Sequence, residues 1–308
     1  MMLGTRETFD YAECDRCQTL QLVRIPEGLG AYYPGGYYSF DSPRLRSRNA
    51  IVRFLRRERD RAAALGGSLL GRILLHLHPE PDLTSLRLAG LRGGESVLDV
   101  GSGGGHHLLA LRELGFGRLE GIDPFLDQDR DLPGGIKLRR RSLEDWDGGP
   151  YELIMFQHSL EHVADPGGAL RRARALLAPG GRCFVRIPTV SSRAWKEYGV
   201  DWVQIDAPRH IVLFSRVGFR MLAESTGWKV AASRDDSTAF QFWGSEQNRR
   251  DIPLLDTRSQ ARSPGAFDAA QMREFARRAR ELNRREEGDQ VAVLLYPDAD
   301  SSAANKSR

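Results

Sequence analysis

Cysteine is scarce in this chain: Cys14, Cys17 and Cys183 are the only three in 308 residues, too few for a disulfide scaffold. Long apolar runs are missing as well. No stretch approaches the roughly 18 apolar residues that span a bilayer, and the amino terminus lacks the apolar core of a secretory signal. A cytoplasmic protein is expected. Lysine occurs only at 137, 196, 229 and 306, so nearly all positive charge is arginine, and the net charge is a modest +4. The arginines are interleaved with Asp and Glu along predicted helix faces, the pattern of solvated faces rather than of a nucleic-acid stripe. The densest run, Arg44 to Arg61, is the one stretch suited to an acidic partner. No histidine precedes His76, so Cys14 and Cys17 cannot complete a four-ligand zinc site from their own neighbourhood.

What is present is an alternation of short apolar strands and helices. With 41% hydrophobic residues the chain can bury the core of one large α/β domain with additions. Apolar residues at helical spacing from Asn49 to Leu77 predict one or two helices, broken at Gly66-Gly67. Strands are predicted at 96–100, 117–122, 136–139, 151–157 and 181–188, and helices at 104–114 and 166–178. This order predicts a doubly wound, mostly parallel sheet with ligands at the strands' carboxyl ends. Asp165-Pro166 supplies an N-cap and a first-turn proline. Residues 191–213 and 240–267 read as long irregular insertions, which in compact domains are usually functional lids. Between them a helix at 215–226 and a strand at 228–234 resume the fold. Met272, Phe275, Ala279 and Leu282 mark a helix stripe, Gln290 to Tyr296 a last strand, and 298–308 a disordered tail.

Val97-Leu98-Asp99-Val100-Gly101-Ser102-Gly103-Gly104-Gly105 is the most informative segment. An apolar strand ends in an acid and enters alternate glycines, which permit a tight strand-to-helix turn and close approach of a ligand. A dinucleotide-binding turn needs G-x-G-x-x-G, but the sixth position from Gly101 is His106 and a pyrophosphate would lie beside Asp99. A cationic nucleoside fits better. Gly121-Ile122-Asp123-Pro124 ends a second strand with an acid 24 positions after Asp99. Ser142-Leu143-Glu144-Asp145, Tyr151 to Gln157, and Leu176 to Gly181 followed by Arg182 to Pro188 come next in order.

These motifs, in this order, resemble the class I S-adenosylmethionine-dependent methyltransferases. The resemblance implies a Rossmann-like sheet whose last strand is antiparallel, with S-adenosylmethionine as cofactor, S-adenosylhomocysteine as coproduct and no metal. It implies a cofactor site of Asp99, Gly101, Ser102, Gly103, Gly105, Asp123, Pro124, Ser142, Leu143, Glu144 and Gln157. Asp123 would take the ribose hydroxyls and Leu143 the adenine, while Tyr38, and its neighbour Tyr37, would reach the methionine end from above. Residues 1–48 resemble the back half of a zinc ribbon followed by an aromatic cap, read as a metal-free remnant. Residues 49–92 form a helical segment, and 93–297 the methyltransferase domain with lids at about 189–214 and 238–267.

The acceptor should meet the methyl group after the central strand, at Gln157-His158-Ser159-Leu160-Glu161-His162. His titrates near neutrality and suits a general base. His158 and His210 are therefore the candidate bases, with Glu161 beside them and His162 as a brace. Trp195 and Trp202 would help a lid enclose a ring-shaped acceptor. Methyl transfer gains most from alignment, since oriented reactants reach effective molarities of about 10⁵ to 10⁸ M. A base is helpful without being obligatory. The expected acceptor is a hydroxyl of a sugar, glycolipid or secondary metabolite, and a homodimer is left open. A nucleic-acid methyltransferase is the first rival, but Phe156-Gln157-His158-Ser159 is not the Asn/Asp-Pro-Pro-aromatic signature of base-amino enzymes, and Cys183 is too sequestered for C5 chemistry. A non-catalytic cofactor-binding relative is the second.

Overall fold

The computed structural model describes residues 6–33, 49–262 and 265–298. Tyr37 and Tyr38, with the rest of the expected aromatic cap beyond Tyr33 and the tail after residue 298, lie outside the described residues. The first strand of the main sheet here, β3 (Val97–Val100), is buried along its whole length. It pairs in parallel with β4 (Leu119–Ile122) on one side and β7 (Tyr151–Gln157) on the other. β6 (Ile136–Arg139) extends the sheet beyond β4, and β8 (Leu177–Pro188) extends it beyond β7, both in parallel. β11 (Gln290–Pro297) then runs antiparallel between β8 and β10 (Trp228–Asp235). An edge strand the sequence did not suggest, β5 (Arg130–Leu132), pairs antiparallel with β6. The order β10-β11-β8-β7-β3-β4-β6-β5 reverses direction between β3 and β7, and the crevice at such a switch point is where open α/β sheets hold ligands.

Side-chain alternation explains why the central strands read as unbroken apolar runs. In β7, Ile154 and Phe156 enter one core layer with Leu98, Val100, Val185, Ile187 and Trp228. Leu153 and Met155 enter the opposite layer with Val97, Leu108, Leu119 and Phe184. Successive side chains point to opposite faces, and both faces are covered. α5 (Pro166–Ala175) and α7 (Arg216–Ser225) supply the first cover. α4 (His106–Glu113), α3 (Pro81–Leu86) and the end of α1 (Ala50–Leu65) supply the second. As the sequence suggests, Asp165 caps α5, accepting from Gly168 N at 2.8 Å.

The apolar residues predicted to make the 49–77 helices do lie on helices, α1 and α2 (Leu69–Leu77), with the break at Gly66-Gly67 as expected, and Ile51, Val52, Phe54, Leu69, Leu70, Ile73 and Leu77 are exposed. α1 packs through Ala62, Ala63 and Ala64 instead. Gly71 of α2 lies so close to α1 that a Cβ there would strike the Glu58 carbonyl and sit 3.0 Å from the Ala62 Cβ. Small residues bring the helices together and turn the large ones outward. One expectation needs correction: the two insertions are not irregular throughout. They contain α6 (Arg193–Tyr198), β9 (Val212–Leu213) and α8 (Phe240–Arg249), and with α9 (Ala269–Arg284) they share a third core of Val190, Ala194, Tyr198, Trp202, Leu213, Phe242 and Ala279.

The amino-terminal hairpin belongs to this cap. β1 (Tyr11–Glu13) pairs with β2 (Leu20–Leu22), and β2 pairs with β9. The Tyr11 hydroxyl donates to the His210 carbonyl at 2.6 Å. Cys14 and Cys17 lie in the hairpin turn, closed by Gln18 N donating to Cys14 O at 2.7 Å. Among the described residues neither cysteine joins two further metal-ligating side chains. No helix of the described residues is long and apolar enough to cross a membrane.

Candidate active site

A cleft of about 930 Å³ opens at the carboxyl ends of β3, β4 and β7, within the size range of small-molecule sites. Its walls bring together Gly101, Ser102, Gly103, Asp123, Pro124, Ser142, Leu143, Glu144, Gln157, His158 and His210 from widely spaced segments. Asp99 and Gly105 are not on the wall. Asp99 is buried behind the turn, and Gly105, at φ +82°, starts α4 with its empty side filled by Leu132 and Leu138.

The glycine turn serves the protein's own packing as much as any ligand. Gly101 has φ +75°, and a Cβ on it would collide with the Ser159 side chain. Ser159 in turn donates to the Val100 carbonyl at 2.6 Å. The turn after β3 and the loop after β7 are thereby locked together, which aligns the cleft's two halves. Asp123 is held by Gly103 N at 3.0 Å and Phe125 N at 2.9 Å. Its carboxyl is raised above the usual range, because burial outweighs those two amides. Asp99 is pushed up to about 8 by burial and then by Asp123, and neither of its oxygens accepts a hydrogen bond.

On the cleft wall, Ser102 Oγ and both amide atoms of Gln157 are buried and unpartnered. Buried polar atoms are almost always paired, so these orphans fit a ligand with polar edges. The residues fit S-adenosylmethionine in kind: an apolar wall at Leu143, a carboxylate at Asp123 and unpaired donors and acceptors beside the turn.

The far end of the cleft is built of histidines. His158, the first residue after β7, has φ +52°, an uncommon conformation for a side-chain-bearing residue and one that clusters at functional sites. Its Nδ1 is 3.4 Å from Glu161 Oε1. Glu161 is wholly buried, and neither oxygen accepts a hydrogen bond from another residue. Burial raises its carboxyl, against the pull of His162 and His210. The Nδ1 atoms of His162 and His210 bond to backbone carbonyls, of Arg209 at 2.8 Å and Gln204 at 2.6 Å. Burial pushes the rings of His158, His162 and His210 down to about 4, so all three are neutral at pH 7.

Sequence reasoning missed Phe125, and took in Tyr33 and Asp206 only as parts of the aromatic cap and of the lid, without roles of their own. Tyr33 lines the cleft, stacks on Phe125 with ring centroids 4.5 Å apart, and places its hydroxyl 3.2 Å from His162 Nδ1. Its tyrosine-rich surroundings were the available signal, and the expectation fell on Tyr38. Trp195 and Trp202 do not line the cleft. Trp202 is buried in the cap core and donates to Asp289 at 3.0 Å, while the cap reaches the cleft through Gln204, Asp206, His210 and Phe240.

A switch-point crevice with this strand order, an acid at the end of the second strand and a glycine turn after the first defines a class I S-adenosylmethionine-dependent methyltransferase fold. The chain belongs to the family described as "Methyltransferase domain", which matches residues 72–233. The ubiquinone biosynthesis O-methyltransferase of Bordetella avium is 35% identical over 107 residues, covering 32% of this chain and 44% of that protein. Its counterpart in Sodalis glossinidius is 28% identical over 194 residues, covering 58% and 75%. The chain spans just under half the length of several other such relatives as well. Among solved structures, the CcbJ methyltransferase of Streptomyces caelestis is similar at a TM-score of 0.42 and 14% identity, covering 72% of this chain and 91% of that one.

Proposed function

We propose that this protein is a cytoplasmic enzyme that methylates a hydroxyl group of a small acceptor, such as a sugar, glycolipid or secondary metabolite. The observation that carries the reading is the continuity of one cleft from the glycine turn and Asp123 to His158 and His210. When bound, S-adenosylmethionine supplies an electrophilic methyl group on a sulfonium and leaves as S-adenosylhomocysteine. Asp123 takes the ribose hydroxyls, Leu143 covers the adenine with Ser142 and Glu144 flanking it, and Ser102 and Gln157 satisfy polar atoms near the turn. His158 and His210 face the acceptor, whose oxygen must lose its proton as its bond to the methyl carbon forms. Neutral rings can accept that proton, but rings held near 4 are weak bases, so alignment in a dry cleft carries most of the rate.

Charge distribution favours a small acceptor over nucleic acid. Two arginines of α9 and its C-cap arginine are engaged with glutamates: Arg277 with Glu274 and Glu281, Arg278 with Glu197, and Arg285 with Glu281. Calorimetric titration with S-adenosylhomocysteine tests the cofactor half. Asp99→Ala and Asp123→Ala are each expected to weaken binding, and unchanged affinity in both refutes the site. Methyl transfer to a panel of hydroxylated acceptors tests the other half, and turnover of RNA in preference to all of them would contradict it.

A further inference from the structure

We propose that Glu161, His162 and His210 bind a divalent transition-metal cation at the acceptor end of the cleft, through the Glu161 carboxylate and the Nε2 atoms of the two rings. A carboxylate oxygen of Glu161 and one ring nitrogen from each histidine already lie within 4.8 Å of one another, and they are the one such cluster among the described residues. At roughly 2.0–2.2 Å per bond, two tetrahedral ligands of one cation stand about 3.4 Å apart, so the 4.0 Å from His210 Nε2 to Glu161 Oε1 closes on a cation with a shift of a few tenths of an ångström.

Three further observations point to a cation. First, both rings use Nδ1 to bond a backbone carbonyl, which puts the proton on Nδ1 and leaves the lone pair on Nε2. Metal-ligating histidines almost always carry this outer bond, because it fixes the ring and its tautomer. Second, Glu161 is a wholly buried acid whose oxygens accept no hydrogen bond among the described residues, its nearest ring nitrogen being His158 Nδ1 at 3.4 Å, and burying a carboxylate without hydrogen bonds is costly. A cation between it and the rings offsets that cost. Third, His162 and His210 are on the cleft wall while Glu161 is beneath it. Three protein ligands with the remaining positions open to a cavity describe a catalytic rather than a structural site.

Two imidazoles and one carboxylate favour zinc, iron, cobalt or manganese over magnesium or calcium, which prefer all-oxygen sites. The open positions would take a hydroxyl or water oxygen, matching a hydroxylated acceptor. The inference rests on the proposed function for that acceptor, but the cation site itself does not. It replaces the metal-free expectation drawn from the sequence. Asp206 is close, with Oδ2 4.0 Å from His210 Nε2, but its carboxylate is engaged by Arg209, whose Nε donates at 2.9 Å.

The test uses the full chain, stripped with a chelator and titrated with Co²⁺ while visible absorption and bound metal are followed. About one cation per chain is expected, with a spectrum of nitrogen and oxygen ligands. Losing a primary ligand should cost more than the tenfold to hundredfold typical of outer-shell changes, so Glu161→Gln and His210→Ala should each weaken binding by more than about tenfold. Cys14→Ser combined with Cys17→Ser should leave it unchanged. Binding of S-adenosylhomocysteine by each variant reports that the cleft is folded, and the wild-type spectrum needs no variant at all. Absence of Co²⁺ binding overturns the proposal, as does a thiolate charge-transfer band or binding lost only in the cysteine double variant. Those results are read independently of cofactor affinity, so a failure of the methyltransferase reading is told apart from a failure of the metal site.

Discussion

The two ends of the cleft are made in different ways. The end proposed for the nucleoside is made of backbone: glycine φ angles, amides held by Asp123, and a turn locked by Ser159. The acceptor end is made of side chains from three distant segments, with Tyr33 from the amino terminus, His158 and His162 from the loop after β7, and Gln204 and His210 from the cap. A turn set by backbone geometry tolerates few changes and can serve one ligand across many proteins. A wall of side chains borrowed from insertions can be rebuilt for each acceptor without disturbing the sheet.

Separability of the two ends is the first thing to break. Truncating a buried tryptophan costs about 3–5 kcal/mol, and Trp202 anchors the cap core without lining the cleft. Trp202→Ala is expected to lower the unfolding free energy in chemical denaturation by that amount and to leave S-adenosylhomocysteine affinity within about threefold, since that end is built on the sheet. A collapse of cofactor affinity would show that the cap and the turn are one unit. Asp123→Ala acts the other way. Hydrogen bonds to a charged group contribute about 1.5–3 kcal/mol each, so losing the proposed ribose contacts should weaken the cofactor by about a hundredfold or more by calorimetry, with a smaller change in melting temperature.

A smaller effect sharpens the acceptor end. Tyr33→Phe removes the hydroxyl beside His162 while keeping the stack on Phe125. It should cost about 0.5–1.5 kcal/mol in chemical denaturation and lower turnover without changing cofactor affinity.

The smallest effects are pH slopes of opposite sign. Burial holds the His107 ring down to about 4 from its ordinary 6.5. The unfolded chain takes up that proton first as pH falls, so its stabilising contribution is present above about 6.5 and is lost between about 6.5 and 4. His107→Gln should flatten that acid limb in melting curves. Asp99, raised from 3.8 to about 8, keeps its proton in the folded state. Its contribution is present at low pH and is lost as pH rises through about 8. Asp99→Asn should therefore raise the ligand-free melting temperature at pH 8 and above while weakening the cofactor.

The same contrast decides what the sequence could reveal. The glycine turn, Asp123, Leu143 and the strand pattern are each written in a few consecutive residues, and strands 136–139 and 151–157 carry their boundaries in their apolar pattern. The antiparallel last strand follows from family resemblance and matches the sheet order. The cap was not legible. Its core joins Leu20, Trp202, Phe242 and Ala279 across most of the chain, and long loops with scattered aromatics carry no period that betrays such pairing. The exposed faces of α1 and α2 escaped for a related reason. Helical spacing identifies a stripe without saying which stripe is buried, and there the small residues won.

The account depends most on where the nucleoside lies, and a crystal of the protein grown with S-adenosylhomocysteine tests that directly. Density should run across the Gly101–Gly105 turn, with the ribose hydroxyls on Asp123 and the adenine against Leu143. A vacant crevice there, or a pyrophosphate-bearing ligand in its place, would contradict it.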